Sequence, residues 1–267
     1  MPERRHDAPV GGGKRWSGFA IGAILPIAIL VLWEIAARAH WLNAYLLPAP
    51  SAVLAAGVAL AQSGELARNV GASAERAVVG FAAAMAIATP LAAAVARWRT
   101  LERLLHFPLE FLRATPPLAL LPLLVLWFGI GEAPKLAVIV LAGFFPILLN
   151  TVAGLRSTPP QLLELARTLD LTPFERVRFV IVPAALPVFV TGLRLAFGNS
   201  WRALVAAELI ATSVGLGYMI MDAQAIARID VVYVGILVIG AIGFLADRAL
   251  MTLTRRLAGE GVLDAQD

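Results

Sequence analysis

Residues 136–152 read LAVIVLAGFFPILLNTV, and no charged residue occurs between Lys135 and Arg156. A helix rises about 1.5 Å per residue, so this run approaches the roughly 30 Å of a bilayer's hydrocarbon core. Five further stretches share its character: Phe19–Ala37, Ala77–Ala96, Phe111–Ile130, Ala184–Ala211 and Val231–Ala246. The composition agrees. The chain has 267 residues, 60% of them hydrophobic and 15% charged, with a mean hydropathy of +0.81. A soluble domain carries about 45–50% apolar and about 25% charged residues. So much apolar content excludes disorder for the bulk of the chain. The absence of Cys excludes a disulfide scaffold, and His6, His40 and His106 are too dispersed for a metal site of the usual spacing. The expected fold class is all-α, a polytopic membrane protein with about six transmembrane helices.

Pro116–Pro117 predicts a bend in the third span, and Pro146 lies inside the fourth. Spanning helices tolerate proline where neighbours satisfy the freed carbonyl. The first span follows Lys14 and Arg15 and is followed by Ala37-Arg38-Ala39, a small-x-small pattern. Its apolar run exceeds the about 7–15 residues of a signal-peptide core, so retention is expected. Orientation follows from Lys and Arg. One side holds Arg4, Arg5, Lys14 and Arg15, then Arg97, Arg99, Arg103 and Arg113, then Arg156, Arg167, Arg176 and Arg178, then Arg248, Arg255 and Arg256. The other side holds Arg38, Arg68, Arg76, Lys135 and Arg228. The positive-inside rule therefore places both termini and the Thr151–Pro183 loop in the cytoplasm. The net charge of +4 is a topological signal, and no nucleic-acid partner is expected. The expected division is a disordered tail over 1–16, a transmembrane domain over 17–257 with its cytoplasmic loop at about 154–183, and a second tail over 258–267. On the outer side, Pro50-Ser51 opens a mostly apolar stretch to Ala61. It is too short to span and reads as an interfacial or re-entrant helix. No internal repeat is visible, which disfavours an inverted-repeat transporter.

Within the cytoplasmic loop, Thr158-Pro159-Pro160-Gln161 and Thr172-Pro173-Phe174-Glu175 each set Thr three residues before Gln or Glu. Proline stands at the first helical position in both. These are capping-box signatures, and they predict short helices over Pro159–Leu169 and Pro173–Val182. In the first, Leu162, Leu165, Ala166 and Leu169 recur at i, i+3, i+4 and i+7. Gln161, Glu164 and Thr168 take the other face. Such a helix either packs on its own bundle or lies in a groove of a cytosolic partner. Spacing alone leaves both open.

Glu164-Leu165-Ala166, then Asp170, then Val180-Ile181-Val182-Pro183 resemble the E-A-A-x3-G-x9-I-x-L-P loop of binding-protein-dependent ABC-importer permeases. Leu165 replaces the first Ala, and Asp170 replaces the Gly. Asp is among the few residues that tolerate positive φ, so the turn survives the replacement. The runs 121–131, Gly143-Phe144-Phe145-Pro146-Ile147, Pro183-Ala184-Ala185-Leu186-Pro187, Ala206-Ala207-Glu208-Leu209 and Gly215-Leu216-Gly217-Tyr218 resemble the nitrate/sulfonate/taurine branch. The resemblance covers roughly Pro48 to Leu257. It implies a permease subunit in the bacterial inner membrane, in contact with membrane lipid. Two copies would form the pathway as a homodimer. A cytosolic ABC ATPase dimer would bind the loops, and an extracytoplasmic substrate-binding protein would deliver a small anion such as a sulfonate, taurine or nitrate. On this resemblance Leu162, Glu164, Leu165, Ala166, Arg167, Leu169 and Asp170 are the ATPase-coupling residues. No cofactor is expected in this chain, ATP being bound by the partner. The only Gly-rich run before a Lys, Gly11-Gly12-Gly13-Lys14, lacks the P-loop's earlier Gly, where Ala8 stands, and its Ser or Thr, where Arg15 stands.

Ionisable groups within a span are expensive and mark either structural pairs or a water-filled path. Span five carries Arg194, Asn199, Arg202 and Glu208. At about 100° per residue, Arg194, Trp201, Arg202 and Glu208 fall within a sector about 120° wide. Either Glu208 neutralises an arginine, or Arg202 helps an anion through; all four residues are candidates for the translocation pathway. Glu34 and Asp247 lie near span ends, where headgroups or water are expected to meet them. A membrane-embedded enzyme would need paired Asp or clustered His, and neither is visible. A stand-alone channel or secondary transporter is the other alternative.

Overall fold

In the computed structural model the backbone is described for residues 14–43 and 45–258, and all regular elements among them are helical. The expected tails fall almost wholly outside these residues. The elements are α1 (Lys14–Arg38), α2 (Pro50–Gln62), α3 (Glu65–Arg97), α4 (Arg99–Ala114), a 3₁₀ turn (Pro117–Leu120) and α5 (Leu121–Phe128). Then follow α6 (Glu132–Arg156), α7 (Pro160–Thr168), α8 (Pro173–Arg176), a π-helical turn (Val177–Ile181), α9 (Val182–Ala211), α10 (Leu216–Ala225) and α11 (Ile229–Ala258).

Among the described residues, four helical stretches are long and apolar enough to cross a membrane: α3, α6, the continuous run Pro173–Ile210, and Ile229–Thr252. The expected first span lies within α1 as one helix. The expected third span, Phe111–Ile130, is not a single bent helix. Its first residues end α4, and α4 meets the Pro117–Phe128 segment at 92°. Two consecutive prolines cause the break. Each drives the residue before it out of the helical region, and Thr115 and Pro116 accordingly hold ψ of 123° and 126°.

The centre of the bundle is the antiparallel pair α6 and α9, with α3 laid across them. On α3, Ala84, Ala88 and Ala92 are wholly buried against Ile147 and Leu148 of α6 and Ala196 of α9. Small residues let the backbones approach, as in membrane helix pairs generally. A Cβ on Gly154 would lie 2.9 Å from the Ala185 carbonyl oxygen, and one on Gly192 would lie 3.0 Å from that of Pro146. Both obstacles are backbone and cannot swing aside. Ser200 fastens the pair by donating to the Ile139 carbonyl at 3.0 Å.

The short outer helix expected near Pro50 is α2, whose Val53, Ala56 and Leu60 pack on Val231 and Val234 of α11. Glu34, expected to meet headgroups or water, also has protein partners. It accepts from the Ser51 amide at 3.0 Å and the Ser51 hydroxyl at 2.8 Å, and pairs with Arg38 at 2.6 Å. A carboxylate from α1 therefore caps the start of α2 and complements its dipole.

Candidate functional site

The loop between α6 and α9 folds as the sequence suggests in part. Thr172 and Glu175 form the expected capping box: the Thr172 hydroxyl accepts from the Glu175 amide at 3.3 Å, and Glu175 accepts from the Thr172 amide at 2.8 Å. The expected box at Thr158 does not form. Pro160 holds the preceding Pro159 extended, with ψ of 135°. The helix thus starts one residue late, and Thr158 falls outside it, its buried hydroxyl without a partner. The second expected helix, Pro173–Val182, is not separate either. It runs through the π turn into α9, Val182 donating five residues back to the Val177 carbonyl. The wider turn directly precedes Pro183, which has no N–H to give the Phe179 carbonyl and whose ring would strike it in an α-helix.

At the far end of α7, Asp170 has φ of 50°. Its amide bonds to the Arg167 carbonyl at 3.0 Å, and the Leu171 amide to that of Ala166 at 3.1 Å. This is the Schellman pattern, with Asp in the position glycine usually takes. The apolar face of α7 divides. Ala166 is 1% exposed, on the side where α7 meets the π turn, whereas Leu162, Leu165 and Leu169 are 41%, 54% and 61% exposed. One edge of the helix is thus packed and the adjacent edge exposed. Glu164 and Arg167 are exposed on the opposite face of the helix.

The charged residues of α9 do not form one group. Arg194 pairs with Asp247 of α11 at 3.1 Å, so Asp247 too has a protein partner. Trp201 is buried and donates to the Ile239 carbonyl at 3.3 Å. Arg202 turns outward, bonded to Asn199 at 2.6 Å, and among the described residues no carboxylate pairs with it. Glu208 points the other way, into the bundle, and is 1% exposed.

What surrounds Glu208 was hidden in the sequence. Its carboxylate accepts from Arg76 at 2.7 Å, from the Ser73 hydroxyl at 2.8 and 2.9 Å, and from the Gly217 amide at 3.0 Å. Arg76 also grips Glu132 through two bonds of 2.6 and 2.9 Å. Lys135 reaches Glu132 at 2.7 Å and the Thr212 hydroxyl at 3.2 Å. Arg76 and Lys135 therefore do not belong to an outer loop; both are buried within helices. The signal for Arg76 was available. Asn69, Ser73 and Arg76 stand at i, i+4 and i+7 and continue the stripe of Gly80, Ala84 and Ala88 that faces α6 and α9.

Residues 80–259, which hold α6, the loop, α9 and Glu208, match the family described as binding-protein-dependent transport system inner membrane component. The chain belongs to this family. As an importer permease it is a transport subunit rather than an enzyme, a multi-pass inner-membrane protein that works with an ATPase and a binding protein. Its relatives cover nearly its whole length. SsuC of Bacillus subtilis (strain 168), named for aliphatic sulfonates transport as a permease protein, is 35% identical over 92% of this chain and 89% of its own. The taurine transport system permease protein TauC of Escherichia coli (strain K12) is 37% identical, covering 86% of this permease and 85% of TauC. The bicarbonate transport system permease protein CmpB of Synechococcus elongatus is 31% identical over 94% of this permease and 95% of CmpB.

Proposed function

We propose that this permease carries a small anion of the sulfonate, taurine or nitrate class, driven by a cytosolic ABC ATPase dimer that grips α7. Two copies of the chain form the pathway, both termini are cytoplasmic, and an extracytoplasmic binding protein delivers the anion. The observation that carries the coupling role is the free leucine edge of α7. A helix of nine residues is too short to hold itself in water. It is nonetheless anchored at Ala166, closed by the Asp170 turn and followed by a capping box, all of which leave Leu162, Leu165 and Leu169 presented outward. Glu164 and Arg167 lie exposed on the opposite face of α7, where they can meet charges on the partner. Arg202, an exposed cation inside a spanning helix and, among the described residues, bonded to the neutral Asn199 alone, supports an anionic cargo. The names of the relatives, which specify sulfonates, taurine and bicarbonate, point the same way.

The test is reconstitution. The permease purified with its ATPase and placed in proteoliposomes should take up a sulfonate only with ATP inside the coupled system and binding protein outside. Substrate-specific flux through the permease alone, down a gradient, would refute the ATP-driven reading.

A further inference from the structure

The segment Thr212–Gly217, which links α9 to the first turn of α10, is held largely by side chains from α3, α6 and α9. The Gly215 amide donates to Asn69 at 2.9 Å, the Leu216 amide to Ser73 at 2.9 Å, and the Gly217 amide to Glu208 at 3.0 Å. Arg76 donates to the Val214 carbonyl at 2.7 Å, and Lys135 to the Thr212 hydroxyl. The amides of the N-cap Gly215 and of the first two residues of α10, which no helix turn can satisfy, thus go to α3 and α9. Glu208 has no free face: its side chain is fully covered, and its oxygens are taken by Ser73, Arg76 and Gly217. It has no room to meet a passing anion.

The cluster also marks one end of the central pair. Glu132 and Lys135 begin α6, and Glu208 lies near the end of α9. The other ends of these two helices flank α7, roughly 35 Å away at about 1.5 Å per residue. Between the two ends the helices are packed backbone against backbone at Gly154 and Gly192. A shift of the 212–217 segment is passed to α9 through buried charged bonds at Glu208 and to α6 through part-buried ones at Glu132 and Lys135.

We infer that Arg76, Glu208, Glu132 and Lys135 form a positioning clamp that registers the α9–α10 segment on the α6–α9 pair, so that an event at α10 sets the ATP hydrolysis governed at α7. Glu208 is then a positioning residue and not a pathway residue. This inference rests on the coupling role proposed for α7.

The experiment uses the permease–ATPase complex in proteoliposomes with purified binding protein and a sulfonate. Glu208→Gln keeps the shape and removes the charge. It should retain the ATPase and its basal hydrolysis, lose at least tenfold of the stimulation by loaded binding protein, and leave the apparent KM for the sulfonate unchanged. Hydrogen exchange at Gly215–Gly217 should rise at least tenfold. Glu132→Gln is the second variant, because its side chain is 55% exposed and Glu208 keeps Arg76. It should lose about threefold of the stimulation, and it decides alone if Glu208→Gln is not recovered in the membrane. Unchanged stimulation in the variants overturns the clamp. So does a raised KM with stimulation intact, which would return Glu208 to the pathway. If wild-type permease fails to retain the ATPase, the coupling reading of α7 fails; the exchange measurement still tests the clamp.

Discussion

Changing Leu165 to Asp puts a charge in the middle of the free edge of α7. Leu162, Leu165 and Leu169 keep 41%, 54% and 61% of their surface exposed, together about one and a half leucines of apolar area. Fully burying a leucine is worth roughly 1.5–3 kcal/mol, so docking this edge supplies about 2–5 kcal/mol per loop. Leu165 accounts for about 1 kcal/mol of that. An aspartate in its place forfeits this share and adds a buried, unpaired carboxylate, which costs several kcal/mol more. ATPase association should therefore fall by about a thousandfold, since each 1.4 kcal/mol is about tenfold. Leu165→Ala, which only removes area, should weaken it about fivefold. The assay is ATPase retention on detergent-solubilised permease, alongside permease abundance in the membrane. An aspartate variant present at wild-type abundance that retains the ATPase at wild-type levels would show that this edge is not the docking surface.

Arg202→Ala should cut anion uptake at least tenfold while abundance and ATPase retention stay unchanged; unaffected uptake would remove Arg202 from the pathway. Asp170→Ala should loosen the end of α7, because Ala lacks the local side-chain bonding that lets Asp occupy positive φ, at about 1 kcal/mol. Faster amide exchange at Leu171 reads this, and Asp170→Gly should show no such loss. Gly154→Val should collapse membrane abundance, since its side chain meets the Ala185 carbonyl and the backbone cannot yield. Reporter fusions after Ala39, Thr100, Lys135, Arg156, Asp222 and Leu257 should alternate out, in, out, in, out, in, and a cytoplasmic signal at Asp222 would break the proposed orientation.

Long apolar periodicity made most of the bundle legible. The runs read as Leu136–Val152 and Ala184–Ala211 are the core of α6 and α9. Local capping chemistry was legible where one residue decided it, as at Thr172–Glu175 and at Asp170. It misled where two rules competed. At Thr158 the hydroxyl's capping preference lost to the extended conformation that Pro160 imposes on Pro159. At Pro116–Pro117 apolar continuity lost to the same effect, and a bend became a break. The Arg76 cluster was beyond reach of charge counting. Its members come from positions 76, 132, 135 and 208, and only the packing of α3 on α6 and α9 brings them together. Distance along the chain also hid the caps that Glu34 gives α2 and that Asn69, Ser73 and Glu208 give α10.

The π turn at Val177–Ile181 has a consequence for tolerance of length change. Losing one residue from an ordinary helix rotates everything beyond the loss by about 100°, which in α9 would throw Ser200, Trp201 and Glu208 off their partners. The π turn carries one residue more than an α turn of the same rise. A single deletion there subtracts the surplus and leaves α8 and α9 in phase. The junction between the loop and the membrane helix is therefore a place where the phase of side-chain faces can absorb a lost residue without re-addressing the bundle.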